Sequence, residues 1–479
     1  MKVLRVYGAL ALVACAILCG AAVWMGGLNQ DEGWYLYAAN LVADGQLPYR
    51  DFVYTQGPVL PLVYAAFSWV WKAWGLLGAR LLTLGIGLCG ILFAAGLARA
   101  FVPKEKANAT SLVVFFLLAT NLYHLYYLAI PKTYALAGLF VLVGFCLLSV
   151  AHAHVATALG AGLCLALAAG TRISLGAILP VVGVWLLATR QRRSLAAFCA
   201  GAFGGLALIY GPFLLDSDAR AGLVAAQAYH AARGGFDLTW TVGSLSRLVR
   251  WYLPVFLVLG LGGFRRAWLP FSAFLAVFLV QMLAPFPYED YQVPIMGLLA
   301  VFAAVNLVSR TEFAVPRLLL LVLGLCFATS FGSPLLEEWA TNGQDRFWVL
   351  KKTKTELAQL REVAATVNAL DPGGKTLLTQ DLYLAIETNR RVPKGLEMGP
   401  FAVLSDVDWR RLLETVDCPV AALSGYTFAI EPPVCNERPT AQQLDYWNLL
   451  KKNYRLVAKE EAFGQNATPL LILMRRAKP

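Results

Sequence analysis

Two adjacent carboxylates, Asp31 and Glu32, follow directly on residues 6–26, an apolar run long enough to cross a bilayer. Charges at such an exit are costly to hold and point to function; the bland alternative is that they only stop the helix from sliding inward. An ionised carboxylate there can take the proton of an attacking hydroxyl, which favours Asp31 as a base and leaves Glu32 a supporting or metal-binding role. Further along stand Lys132, Arg172 and Arg233, which can neutralise an anionic group. Asp51, Tyr229, His230, Glu289 and Asp290 complete a set of candidate substrate-binding residues. The blander readings are a turn aspartate for Asp51, a headgroup-seeking Lys132 and a structural ion pair for Arg172. Tyr229 and Arg233, spaced i to i+4, share one helical face. No zinc-ligand spacing is present, and the four histidines are scattered.

The elements that must position these residues are mostly apolar. Hydrophobic residues make up 58% of the 479 and charged residues 14%, the composition of a polytopic membrane protein. Runs near 6–26, 76–101, 107–122, 134–151, 155–171, 174–188, 195–215, 248–263, 267–285, 292–308 and 316–333 predict about eleven transmembrane helices. Residues 58–74, with two prolines and many aromatics, fit an interfacial helix better. A cleaved signal peptide is disfavoured because the first run continues past Cys15.

Charge supports this layout. Before residue 335 there are 21 Lys/Arg against 11 Asp/Glu, and after it 19 against 18. Lys2, Arg5, Arg99, Lys104, Arg190, Arg192, Arg193, Arg265, Arg266 and Arg310 fall in alternate loops. Asp31, Glu32, Asp44, Asp51, Asp216, Asp218, Asp237, Glu289 and Asp290 fall in the others. That segregation predicts a cytoplasmic N-terminus and an outer, periplasmic C-terminus in a bacterial inner membrane. The basic excess therefore reads as topology, and nucleic acid is excluded as a partner.

Two domains follow: a transmembrane catalytic domain, 1–334, and a periplasmic α/β domain, 335–479, in which predicted helices alternate with short strands. Helices are expected at 353–370, 406–416 and 441–452, and strands at 375–380, 419–423, 454–458 and 470–475. Cys418 and Cys435 stand alone in that polar tail and are expected to pair if it faces an oxidising compartment.

Carboxylates beside cations at a membrane surface suit sugar transfer from a lipid-linked phosphate. A base activates the acceptor hydroxyl, and fixed cations neutralise the departing polyprenyl phosphate. The residues also carry a resemblance. Asp31-Glu32-Gly33 with Tyr35 and Tyr37, Pro48-Tyr49-Arg50-Asp51-Phe52 and Gln56-Gly57-Pro58 resemble the bacterial GT-C glycosyltransferases, the protein-mannosyltransferase-like enzymes related to aminoarabinose transferases. The likeness extends through Gly170-Thr171-Arg172 and Tyr229-His230 with Arg233. It reaches the tail at Arg391-Val392-Pro393 and Gly395-Leu396-Glu397-Met398-Gly399. It implies an inverting transfer at the outer face, with Asp31 as base. The acceptor would be a glycolipid, a polysaccharide or a protein.

The chain departs from that family twice. Gln56 stands where relatives often have a lysine, and Lys132-Thr133 where many have an acidic residue. The expectation is that Lys132 supplies the phosphate contact that Gln56 cannot. A divalent metal is not favoured, because the second-loop carboxylate that would help hold it is lost. The competing readings are a transporter or lipid flippase, a membrane-anchored scaffold, and an oligosaccharide ligase. A transporter would bury charges mid-span and repeat a half. A scaffold leaves the acidic pair unexplained. A ligase calls for a large late outer loop that the chain lacks.

Overall fold

Long apolar runs without breakers fold as helices because only an intrahelical ladder satisfies the backbone away from water. The computed structural model describes residues 2–150, 154–232, 234–310, 354–404, 407–425 and 430–476. The bundle comprises α1 (Lys2–Trp24), α2 (Gln30–Ala43), α3 (Val59–Ala65), α4 (Ser68–Arg99), α5 (Lys104–Ala119), α6 (Leu122–Ala129), α7 (Thr133–Ser149) and α8 (Val155–Thr171). It continues with α9 (Ile178–Ala188), α10 (Arg192–Leu215), α11 (Ser217–Ala232), α12 (Leu238–Trp251), α13 (Leu253–Gly262), α14 (Trp268–Met282) and α15 (Met296–Arg310).

Four described helices are long and apolar enough to cross a membrane, and six if each of two bent pairs counts as one span. The expected run 107–122 bends by 71° into α6, and 248–263 belongs to a pair, α12–α13, bent by 81°. Asn121 causes the first break by capping α6; Pro254, at the first turn of α13, starts a new helix at the second. The stretch 316–333 and the boundary at 334 lie outside the described residues. The stretches between the expected runs 107–122 and 134–151, and between 195–215 and 248–263, are largely helical, as α6 and as α11–α12.

The interfacial stretch is a helix pair, α3 and the first turns of α4. Gly75 separates those turns from the membrane run, with φ 63° and ψ −155° inside α4, a conformation that favours glycine. The amide of Leu76 freed by this break donates to Glu387 Oε2 at 2.7 Å, so a tail carboxylate caps the onward helix.

In the tail, helices span Glu356–Leu370, Leu382–Glu387, Trp409–Thr415 and Ala441–Asn453. Strands β1 (Val420–Ser424), β2 (Tyr454–Phe463) and β3 (Thr468–Arg475) form an antiparallel sheet in the order β1-β3-β2. The α/β expectation thus resolves into helices beside an antiparallel sheet. Residues 375–380 make only isolated bridges, Thr376 to Arg391 and Leu378 to Ala421. The expected Cys418–Cys435 disulfide is absent, and both thiols are free. Strand β1 separates them. Cys418 precedes it, while a Cβ on Gly425, just beyond its far end, would touch Cys435. That five-residue strand alone spans roughly 17 Å, far beyond the reach of a disulfide.

One hydrophobic core fills the bundle. A second joins α2, α3 and the start of α4 to the tail helices and sheet. The tail is therefore packed onto the helix that carries the acidic pair.

Candidate active site

Asn29 starts α2. Its side chain accepts from the Asp31 amide at 3.0 Å, and Glu32 Oε1 accepts from the Asn29 amide at 3.0 Å. This capping box fixes the helix start and gives the two carboxylates different surroundings. Glu32 turns inward and is fully buried. Arg80 grips it with two bonds of 2.7 Å and also donates to the carbonyls of Val23, Gly26 and Gly27 at 2.9–3.0 Å. The buried ion pair therefore locks the end of α1 to the start of α2.

Asp31 remains partly open, its side chain 24% exposed. Lys132 Nζ lies 2.9 Å from Asp31 Oδ2 and 2.9 Å from Asp290 Oδ2. Tyr134 donates its hydroxyl to the same Asp290 oxygen at 2.9 Å. The ammonium also faces the rings of Tyr127 and Tyr134, at 5.6 and 4.9 Å. Each member sits at a break between elements. Asp31 begins α2, Lys132 is the residue before α7, and Asp290 lies in a 3-10 turn, Glu289–Ile295, ahead of α15.

Arg172 occupies the break after α8. Its guanidinium lies 4.2 Å from the Tyr291 ring and 5.2 Å from Tyr134. Its one hydrogen bond among the described residues, to Thr133, is long at 3.4 Å, and its buried Nε has no partner. Asp31, Lys132, Asp290 and Arg172 thus form one connected cluster through Tyr134 and Tyr291.

Glu289, Asp51 and Tyr229 are placed elsewhere. Glu289 pairs with Arg247 at 3.1 Å. Asp51 is a turn staple: it accepts from Arg50 at 2.9 and 3.0 Å and from the Leu47 amide at 2.7 Å. Those bonds, that of Arg50 first, hold its carboxyl below the usual range. Tyr229 is half-buried on α11. His230 belongs to the same helix, with its side chain outside the described residues, as is the whole of Arg233.

Several residues of the site escape the sequence reading. Arg80 carried a signal, as a lone charge inside an apolar run. Tyr134 and Tyr291 carried none, since a tyrosine reads like any span-end aromatic.

The tail clamps the same helix. Gln30 Nε2 donates to Asp381 Oδ1 at 2.7 Å and to the Tyr383 hydroxyl at 3.0 Å, and Tyr383 donates to Asp381 at 3.0 Å. A Cβ on Gly33 would collide with the Tyr383 backbone, so α2 and the tail meet main chain against main chain. Trp34 reaches Met398 Sδ at 2.9 Å, and the Val392 amide donates to the Tyr37 hydroxyl at 2.9 Å. Burial pushes the Asp381 carboxyl up. Asp381→Ala leaves the buried Gln30 amide short of an acceptor, a cost of about 1–3 kcal/mol. The expected readout is faster proteolytic release of the tail. An unchanged cleavage rate would contradict this docking.

A helical bundle whose first short helix bears a carboxylate over polar span ends, roofed by a small sheet domain, has the GT-C glycosyltransferase fold. Crystal structures of ArnT, an aminoarabinose transferase, from Cupriavidus metallidurans superpose on nearly the whole chain. The form bound to undecaprenyl phosphate is 14% identical, with a TM-score of 0.61, covering 99% of this chain and 98% of that one. The apo form is 13% identical, with a TM-score of 0.62 and 99% coverage of both. The oligosaccharyltransferase of Archaeoglobus fulgidus, tethered to an acceptor peptide, is 12% identical with a TM-score of 0.50, covering 94% of this chain and 73% of that one. No protein-family model and no curated protein sequence matches the chain. The fold expected from the first-loop motif is present.

Proposed function

We propose that the chain is a membrane glycosyltransferase that moves a sugar from a polyprenyl-phosphate donor to an acceptor hydroxyl, with inversion. The observation that carries this reading is a partly open carboxylate, Asp31, in one cluster with the unsaturated guanidinium of Arg172. Asp31 takes the acceptor proton as the acceptor oxygen bonds to the anomeric carbon. The bond from that carbon to the phosphate oxygen breaks, and its electron pair leaves with the polyprenyl phosphate. Arg172 neutralises that charge. Glu32 is a positioning residue, acting through the start of α2.

An apolar groove of about 800 Å³ begins beside Arg172, lined by Ile173, Gly176, Leu179, Tyr210 and Leu214. It suits the prenyl chain. Asp51 lines a separate cleft of about 730 Å³ between the first loop and the tail, with Lys394, Glu397, Asp408 and Arg411. Its mixed charges suit a hydroxyl-rich acceptor, whether glycolipid, polysaccharide or protein, and Tyr229, His230 and Arg233 remain candidates for that side. The charge pattern of the loops supports about eleven crossings of a bacterial inner membrane, with the N-terminus cytoplasmic and the tail periplasmic. No observation favours a transporter.

The test is to incubate purified protein with radiolabelled polyprenyl-phosphate sugars and membrane extracts. Transfer from one donor is expected; no transfer from any donor sinks the reading. Arg172→Ala is expected to raise KM for the donor by about 10–100-fold, the worth of a charge-assisted contact. An unaltered KM would remove Arg172 from the phosphate.

A further inference from the structure

We propose that the Lys132 ammonium holds the place between Asp31 and Asp290 that a metal ion would otherwise fill, so that this centre is charge-compensated by the chain itself. Its catalytic consequence rests on the glycosyl-transfer reading; its ion-binding consequence does not.

The argument is geometric. Nζ lies 2.9 Å from one oxygen of each carboxylate, with a side chain only 8% exposed. A buried ammonium needs such pairing to be tolerated, and the carboxylates need a cation in return. Tyr127 and Tyr134 present their rings to the same nitrogen, and Tyr134 completes the shell of Asp290. A divalent cation bound to these two carboxylates would have to sit against the ammonium or expel it. The only ligands left to it would be two carboxylates already engaged, and no cluster of three His, Cys, Asp or Glu side chains exists among the described residues. The residues present therefore do not fit a divalent metal.

This changes the expected role of Lys132. Both acidic partners of the ammonium belong to the protein, so Lys132 is a positioning residue for Asp31 rather than the phosphate contact. It draws Oδ2 of Asp31 to itself and leaves Oδ1 without a hydrogen bond among the described residues, free to meet an acceptor hydroxyl. In the transfer step the proton goes to Asp31, while Lys132 stays protonated and keeps Asp290 neutralised.

The test uses the full chain in lipid nanodiscs and Mn2+ alone, with free Mn2+ read by electron paramagnetic resonance. Wild type is expected to bind no stoichiometric Mn2+ that depends on Asp290, and chelator is expected to leave transfer unchanged. Lys132→Asp, which adds a third carboxylate, is expected to gain one Mn2+ site and a melting temperature that rises with Mn2+. Wild-type binding of one Mn2+ per chain that is lost in Asp290→Asn would overturn the proposal, whether or not the variants fold well. Lys132→Met is expected to lower kcat by about 100-fold while changing the dissociation constant for polyprenyl phosphate by less than about twofold. Lys132→Arg is expected to restore part of kcat. A tenfold or greater loss of polyprenyl-phosphate affinity in Lys132→Met, with kcat kept, would return Lys132 to the phosphate.

Discussion

Asp31→Asn is expected to lower kcat for sugar transfer by about 10²–10⁴-fold, the usual worth of a general base, with little change in donor affinity. The substitution is nearly isosteric and keeps a group beside Lys132, so the loss isolates proton acceptance. The carboxylate is the partly exposed member of the acidic pair, held by one ammonium at 2.9 Å. Its neighbour cannot replace it, because both Glu32 oxygens are engaged with Arg80. The measurement is transfer of radiolabelled sugar under saturating donor, paired with a melting curve. Equal transfer by the variant and wild-type protein would remove the assigned base. A fall in melting temperature matching the loss of activity would make the effect structural.

Arg80→Ala is expected to do the opposite. Removing one partner of a fully buried ion pair costs about 3–5 kcal/mol, and here the carbonyls of Val23, Gly26 and Gly27 lose their donor as well. The protein should melt far below wild type in detergent and yield poorly from membranes. Glu32→Ala should behave alike, since it strands the guanidinium instead. Glu32→Gln keeps the capping bond to the Asn29 amide and should fall between the two. Full stability in Arg80→Ala would show that this pair does not hold α1 to α2. Adjacent acidic residues would thus separate cleanly, one read by activity and the other by stability.

That separation was only half legible in the sequence. The acidic pair after an apolar run was visible, as was the clustering of polar groups at span ends. Helix periodicity and the cost of buried charge act locally along the chain, so local sequence reports them. Most tail elements were likewise visible within a few residues. The antiparallel order β1-β3-β2 was not, because alternation of helices and strands does not state which edges meet. Nor was the separation of Cys418 from Cys435, which depends on β1 running between them. The bend at α5–α6 leaves little mark in the hydropathy pattern, since both helices are apolar, whereas at α12–α13 a helix with two arginines gives way to a wholly apolar one.

By itself the sequence determined that this is an apolar helical chain with a carboxylate pair at a helix exit, cations at neighbouring span ends and a polar tail. Only the tertiary structure decided which carboxylate stays open. Glu32 found Arg80, 48 residues away, while Asp31 and Asp290 found one shared lysine. The tail found α2 through Gln30 and Asp381, 351 residues apart. A buried charge must be matched by an opposite one, but which partner reaches it is set by how helices pack, and no spacing along the chain encodes that.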